Sequence, residues 1–160
     1  MNIRAIIDLV EAGQQSAPAT LPEIIRQTVA DFNAKGIPTS EIGSGWCGEF
    51  ADTVLDRWIG DDWVHKDGTS FQNVETNSFF RYDEDDNALG WDWQLLKKHW
   101  QIEPPASDEV MNIVMGGSHV WITTGGKHYD AEAPDGVQSF FDLPFFKRWI
   151  AGAKAEVGQG

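Results

Sequence analysis

Gly43-Ser44-Gly45-Trp46-Cys47-Gly48-Glu49-Phe50-Ala51 is the stretch on which the reading of this 160-residue chain turns. From Cys47 onward, Phe50, Ala51, Val54, Leu55, Trp58 and Ile59 recur at three- and four-residue steps, which is one face of a helix. Ahead of that helix the glycines read as a loop free to approach other backbone closely. Cys47 is the single cysteine of the chain, and it stands where the loop becomes the helix. A thiol there meets unpaired backbone N–H groups and the positive end of the helix dipole, and both favour thiolate over thiol. Cys47 is therefore the candidate nucleophile. The competing reading, a small buried hydrophobe, gives no reason for the Gly-x-Gly-x-Cys-Gly setting.

Composition narrows the classes. Hydrophobic residues make up 41% of the chain and aromatic residues 12%, a globular balance with enough length for one domain spanning 1–160. One cysteine excludes an internal disulfide framework or a multi-cysteine zinc site. With 25 acidic against 12 basic side chains the formal charge is −13, so the basic footprint that nucleic acid or an anionic membrane needs is missing. Asp8 and Glu11 interrupt the apolar N-terminal run, which supports neither a signal peptide nor a membrane span. The expectation is a soluble cytoplasmic protein that binds neither nucleic acid nor membrane and carries no cofactor. Its oligomeric state is not legible.

Along the chain, residues 3–12 show a short helical pattern and Gly13 to Thr20 a loop. Thr20, Pro22 and Glu23 form a helix start with capping-box spacing, and that helix should bury Ile24, Ile25, Thr28, Val29 and Phe32 before Gly36. The Cys47 helix should end at Gly60. Segments 62–65 and 78–82 read as short strands or ordered loop. The acidic run 83–87 lacks the glycine and terminal glutamate of a calcium loop and reads as solvated. A helix from Trp91 to Trp100 should turn Leu95, Leu96, His99 and Trp100 inward, ending before Pro104-Pro105. Residues 110–115 and 119–124 have strand length and apolar or β-branched content. The second is followed by Gly125-Gly126, a hairpin turn. Pro144 can open a helix in the aromatic tail, which should pack against the sheet.

The hairpin supplies partners for the thiol. If Gly125-Gly126 is a two-residue turn, Thr124 faces Lys127, Trp121 faces Asp130 and His119 faces Glu132. His119, Trp121, Asp130 and Glu132 then share one face, while Val120, Ile122, Tyr129 and Ala131 take the other, core-facing one. Asp130 can fix the ring of His119, with Glu132 as the competing orienter and His128 as the alternative base. A histidine titrating near neutrality can exchange protons with Cys47 and a leaving group. The Cys47 N–H is a plausible oxyanion donor, and Trp46 and Trp121 could wall the cleft. A metal cluster of His119, His128, Asp130 and Glu132 is conceivable, but it has no compact ligand motif and leaves the Cys47 setting unexplained.

These residues resemble the transglutaminase-like branch of the papain-like cysteine protease superfamily. Gly45-Trp46-Cys47-Gly48-Glu49-Phe50-Ala51 is similar to its Gly-x-Cys-x-x-Phe-Ala nucleophile signature. Ser118-His119-Val120-Trp121 is similar to its histidine strand, and Tyr129-Asp130-Ala131 to the strand bearing the third triad residue. The likeness covers about residues 45–58 and 117–132. It implies an α+β fold of N-terminal helices, with the nucleophile helix packed on an antiparallel sheet. It also implies that Cys47 is the nucleophile, His119 the base and Asp130 the orienter. Ala131 stands where the family often has proline. Glu41 sits at the offset of the papain-type glutamine, leaving the second oxyanion donor unassigned. The implied activity is thiol-dependent acyl transfer or hydrolysis at a protein or peptide amide, of the peptidase, amidase, deamidase or transglutaminase type. The alternative is an inactive copy of the fold serving as an interaction or structural module.

Overall fold

A computed structural model describes residues 19–60, 74–79 and 92–158 of the chain. The expected helix at 3–12, the segment 62–65, all but the first two residues of 78–82, and the acidic run 83–87 lie outside the described residues. Within them the architecture is mixed α+β, several helices around a small antiparallel sheet.

The first helix, α1 (Leu21–Ala34), opens as its sequence dictates: the Thr20 N–H and hydroxyl both reach Glu23 Oε2, at 2.7 and 2.8 Å. It buries Leu21, Ile24, Ile25, Thr28 and Phe32. The expected glycine loop is instead a second short helix, α2 (Thr39–Gly45). Its bonds from Ile42 N–H to the Pro38 carbonyl (3.2 Å) and from Trp46 N–H to the Ile42 carbonyl (3.1 Å) are helical in span. Buried Ile42 anchors it, which outweighs the low helix propensity of Gly43 and Gly45. The direct continuation α3 (Cys47–Ile59) buries Phe50, Ala51, Val54 and Leu55 and stops at Gly60, where φ is +87°. Arg57 ties α3 to α1 through Thr28 Oγ1 (3.1 Å) and Asp31 Oδ2 (2.7 Å).

The sheet runs β1 (Glu75–Ser78), β2 (Val120–Thr124), β3 (Lys127–Tyr129), with β2 central. Gly125 and Gly126 take φ of +57° and +73°, as a two-residue hairpin turn requires. Thr124 pairs with Lys127 and Ile122 with Tyr129, the expected register. The ladder ends there, so Asp130 and Glu132 lie beyond it in a turn.

Two segments differ from expectation. The expected strand 110–115 is instead a helix, α5 (Asp108–Val114), with Met115 as its C-cap, because Ser107 caps its start by accepting the Val110 N–H and two acids occupy its first turn. In α4 (Trp93–Trp100), Trp93 and Leu96 are the fully buried residues, whereas Leu95 is exposed. Asp92 caps that helix by accepting the Leu95 N–H at 3.0 Å. After a single 3-10 turn (Phe140–Asp142), Pro144 opens α6 (Pro144–Val157).

Both faces of β2 are covered, not one. Ile122 joins Phe50, Val54 and Leu55 in a cluster built from α1 and α3. Trp121 joins Phe79, Leu96, Met111, Phe140 and Phe146 in a second cluster built from α4, α5 and α6. The face expected to be polar is thus covered by the aromatic tail. A strand buried on both sides favours apolar residues at successive positions, which Trp121-Ile122 supplies.

Candidate active site

Cys47 stands at the start of α3, just past a change of backbone direction at Trp46 (φ −121°, ψ 11°). It is half-buried. Burial pushes its thiol up. A hydrogen bond and positive charge from His119, with backbone N–H groups of Val120 and Gly48, outweigh burial and hold the thiol below its ordinary range.

His119 immediately precedes β2 and is 1% exposed. Its Nε2 lies 3.0 Å from Asp130 Oδ2, and its Nδ1 lies 3.0 Å from the Gly43 carbonyl. Phe145, in the first turn of α6, stacks on the ring at 4.1 Å and 15° between planes, and the edge of Phe146 closes another side. Burial pulls the imidazole down, but hydrogen bonds to Asp130 and Cys47 and their negative charge raise it to about 9.

Asp130 is held by its own turn. Its Oδ1 accepts the N–H groups of Glu132 and Ala133, both at 2.9 Å, which leaves Oδ2 aimed at His119. A short polar side chain bonding the backbone two and three residues ahead is a favoured turn device. Glu132 is not the competing orienter: its carboxylate takes both arms of Arg148, at 2.9 and 2.7 Å. The bidentate geometry of that pair suits guanidinium and carboxylate.

The other expected residues divide. Trp46 is 41% exposed beside Cys47, where it can meet a bound molecule. Trp121 is 1% exposed and belongs to the core, so it does not wall the Cys47 cleft. It lines a groove of 410 Å³ with Asn77, Trp100, Thr123, His128 and Phe140, and neither Cys47 nor His119 is in that lining. His128 is not the base: its Nδ1 accepts from Trp121 Nε1 at 3.2 Å and lies 2.9 Å from Thr123 Oγ1. Gly45 is exposed, and a Cβ there would meet no atom within 4 Å. Among the described residues no group of three or more His, Cys, Asp or Glu side chains is placed to hold a metal ion. His65 lies outside the described residues, as does the side chain of His99.

Three contributors carried no sequence signal read above: the Gly43 carbonyl, Phe145 and Arg148. For Phe145 a signal exists, since Pro144 at a helix start fixes Phe145 in the first turn. Comparison with protein-family models, with curated proteins and with solved structures returned no match.

The arrangement is a half-buried thiol with a depressed pKa and a buried imidazole with a raised one. A turn-locked carboxylate lies behind the ring. Such a trio favours thiolate over thiol at Cys47 and holds a proton on the imidazole beside it.

Proposed function

We propose that the chain is a thiol-dependent enzyme acting on amide bonds of a protein or peptide, with the transglutaminase-like variant of the papain-like fold as the finer reading of its α+β architecture. The observation that carries this reading is His119, hydrogen-bonded to Asp130 on one side and coupled to Cys47 on the other. In the proposed reaction the Cys47 thiolate attacks the amide carbonyl carbon, and the carbonyl oxygen becomes an oxyanion facing the N–H groups at the start of α3. Collapse of that intermediate breaks the carbon–nitrogen bond. Nε2 is taken by Asp130, so His119 gives the leaving nitrogen its Nδ1 proton, which the Gly43 carbonyl holds at rest and releases in this step. Water or an amine then attacks the thioester, His119 takes a proton from it, and Cys47 leaves as thiolate. Exposed Trp46 is the proposed contact for substrate beside the scissile bond. Proton exchange at neutral pH fits an imidazole held by a carboxylate, and no cofactor is needed for any step.

One observation favours a second reading, a structural or interaction module: His119 is nearly unexposed and both its ring nitrogens already have partners. The two readings part on the rate of Cys47 alkylation against pH, measured on the wild type and on His119→Ala. The enzyme reading expects alkylation at neutral pH that is lost in His119→Ala while its circular dichroism is unchanged. Alkylation that rises only above about pH 8.5 and ignores His119 would establish the structural reading instead. Among the described residues no helix is long and apolar enough to cross a membrane.

A further inference from the structure

We propose that the backbone carbonyl of Gly43 is a positioning group of this site, holding the Nδ1 proton of His119 and turning the ring edge toward Cys47. The proposal deepens the thiol–imidazole reading above and rests on it for its role in catalysis.

The geometry carries it. A carbonyl oxygen can only accept, so the ring nitrogen 3.0 Å from it bears a proton. The other nitrogen faces a carboxylate oxygen at 3.0 Å, and an ionised carboxylate also only accepts. Two acceptors on one ring select the doubly protonated imidazolium over either neutral tautomer.

The carbonyl also has a favourable electrostatic origin. Gly43 lies two residues before the end of α2, where the last carbonyls of a helix lack the usual partners and carry partial negative charge. The Trp46 N–H takes the Ile42 carbonyl, and the next carbonyl along, that of Gly43, takes His119. One residue past the break at Trp46, α3 begins with Cys47 in the partial positive charge of its own N-terminus. A single change of direction between two helices thus sets a negative end against the imidazole and a positive end beside the thiol.

Packing holds the alignment. A Cβ on Gly43 would stand 3.5 Å from Phe145 Cδ2, 3.7 Å from Glu132 Oε2 and 3.9 Å from His119 Cε1, so the residue lies directly against the ring and its covers. The charged and titratable groups around the ring are Cys47 on α3, Asp130 and Glu132 after β3, and Arg148 on α6. Arg148 is paired with Glu132 and also senses Asp130.

The single cysteine makes the test practical. A 1–46 thioester can be ligated to a 47–160 fragment at Cys47 itself, regenerating the full chain. Replacing Ser44 in the first fragment by its α-hydroxy acid turns the Gly43 carbonyl into an ester, a weaker acceptor. Replacing Gly45 by glycolic acid is the control, since it loses a comparable helix bond and leaves the Gly43 carbonyl an amide. The readout is the ring ¹⁵N shifts of His119 against pH. The expected result is a midpoint lowered by about half to one unit in the first ester only, roughly a three- to tenfold weaker hold on the proton. Equal midpoints in the two esters, or a drop in melting temperature with no change of midpoint, would overturn the proposal. Should the ester fail to fold, a scalar coupling between His119 ¹⁵Nδ1 and the Gly43 carbonyl carbon in the labelled wild type supports the bond, and an unprotonated Nδ1 at neutral pH refutes it. A ring with both nitrogens protonated beside an inert Cys47 would sink the enzyme reading alone and leave the Gly43 assignment standing.

Discussion

Replacing Asp130 by Asn should make stability respond to pH in a way that no loss of packing can imitate. The side chain keeps its shape, and its carboxamide oxygen can still accept the Glu132 and Ala133 N–H groups that now bond Oδ1. The amide NH₂ then faces His119 Nε2, which must give up its proton to accept from it. The ring becomes neutral. In the wild type this imidazole is raised from 6.5 to about 9, with its ring buried. A histidine whose folded pKa lies above its unfolded one adds stability that is complete below the unfolded pKa and fades as pH rises through the folded one. Integrated between those two values, the contribution is about 3 kcal/mol at pH 6, falls to roughly half that or less by pH 8 and is close to nothing by about pH 9.5. These figures are upper bounds for Asp130 alone, because Cys47 supplies part of the same shift. The thiol side of the pair is the same interaction and is not added again. Urea unfolding of wild type and Asp130→Asn from pH 6 to 9.5 measures the gap directly. It should shrink steadily as pH rises. A gap that stays constant across that window would refute the imidazolium argument and reduce Asp130 to a turn residue.

Three further substitutions test a tight packing contact and a helix cap. A Cβ at Gly117 would lie 1.1 Å from Trp149 Cη2, so Gly117→Ala must displace the indole and should cost about 1–3 kcal/mol. Trp149→Leu should recover part of that loss, and strict additivity in the four urea curves of the cycle would show that the two do not touch. Ser107→Ala removes the cap of α5 and should cost about 0.5–1 kcal/mol, the lower part of the usual range because the bond to Val110 N–H is long at 3.4 Å. A thermal melt unchanged by the substitution would mean that water replaces the hydroxyl.

The parts of the fold that sequence made legible are those with local rules. Gly125-Gly126 admits positive φ at both positions, which set the register of β2 against β3 and placed His119 and Asp130 at the same end of the hairpin. Thr20 with Glu23, and the face from Cys47 to Ile59, are equally local. The misreadings arose where two local signals competed. At 110–115 the apolar content suggested a strand, while Ser107 and the acids after it were already a helix start. At 39–45 the glycines suggested a loop, although Ile42 had a core to enter. What lay beyond reach was long-range. Phe145 meets His119 across 26 positions of chain, and Gly43 meets it across 76. A backbone acceptor leaves no mark on residue identity. The aromatic tail packs against the sheet as expected, but alternation along β2 does not say which face it covers.

That double covering of β2 has a bearing on when the site comes into being during folding. The helix that presents the thiol grows out of one hydrophobic cluster, whereas the rings that clamp the imidazole belong to the other. The thiol and the stacked imidazole are therefore brought together only when both clusters have closed on β2, and loosening either one should separate them.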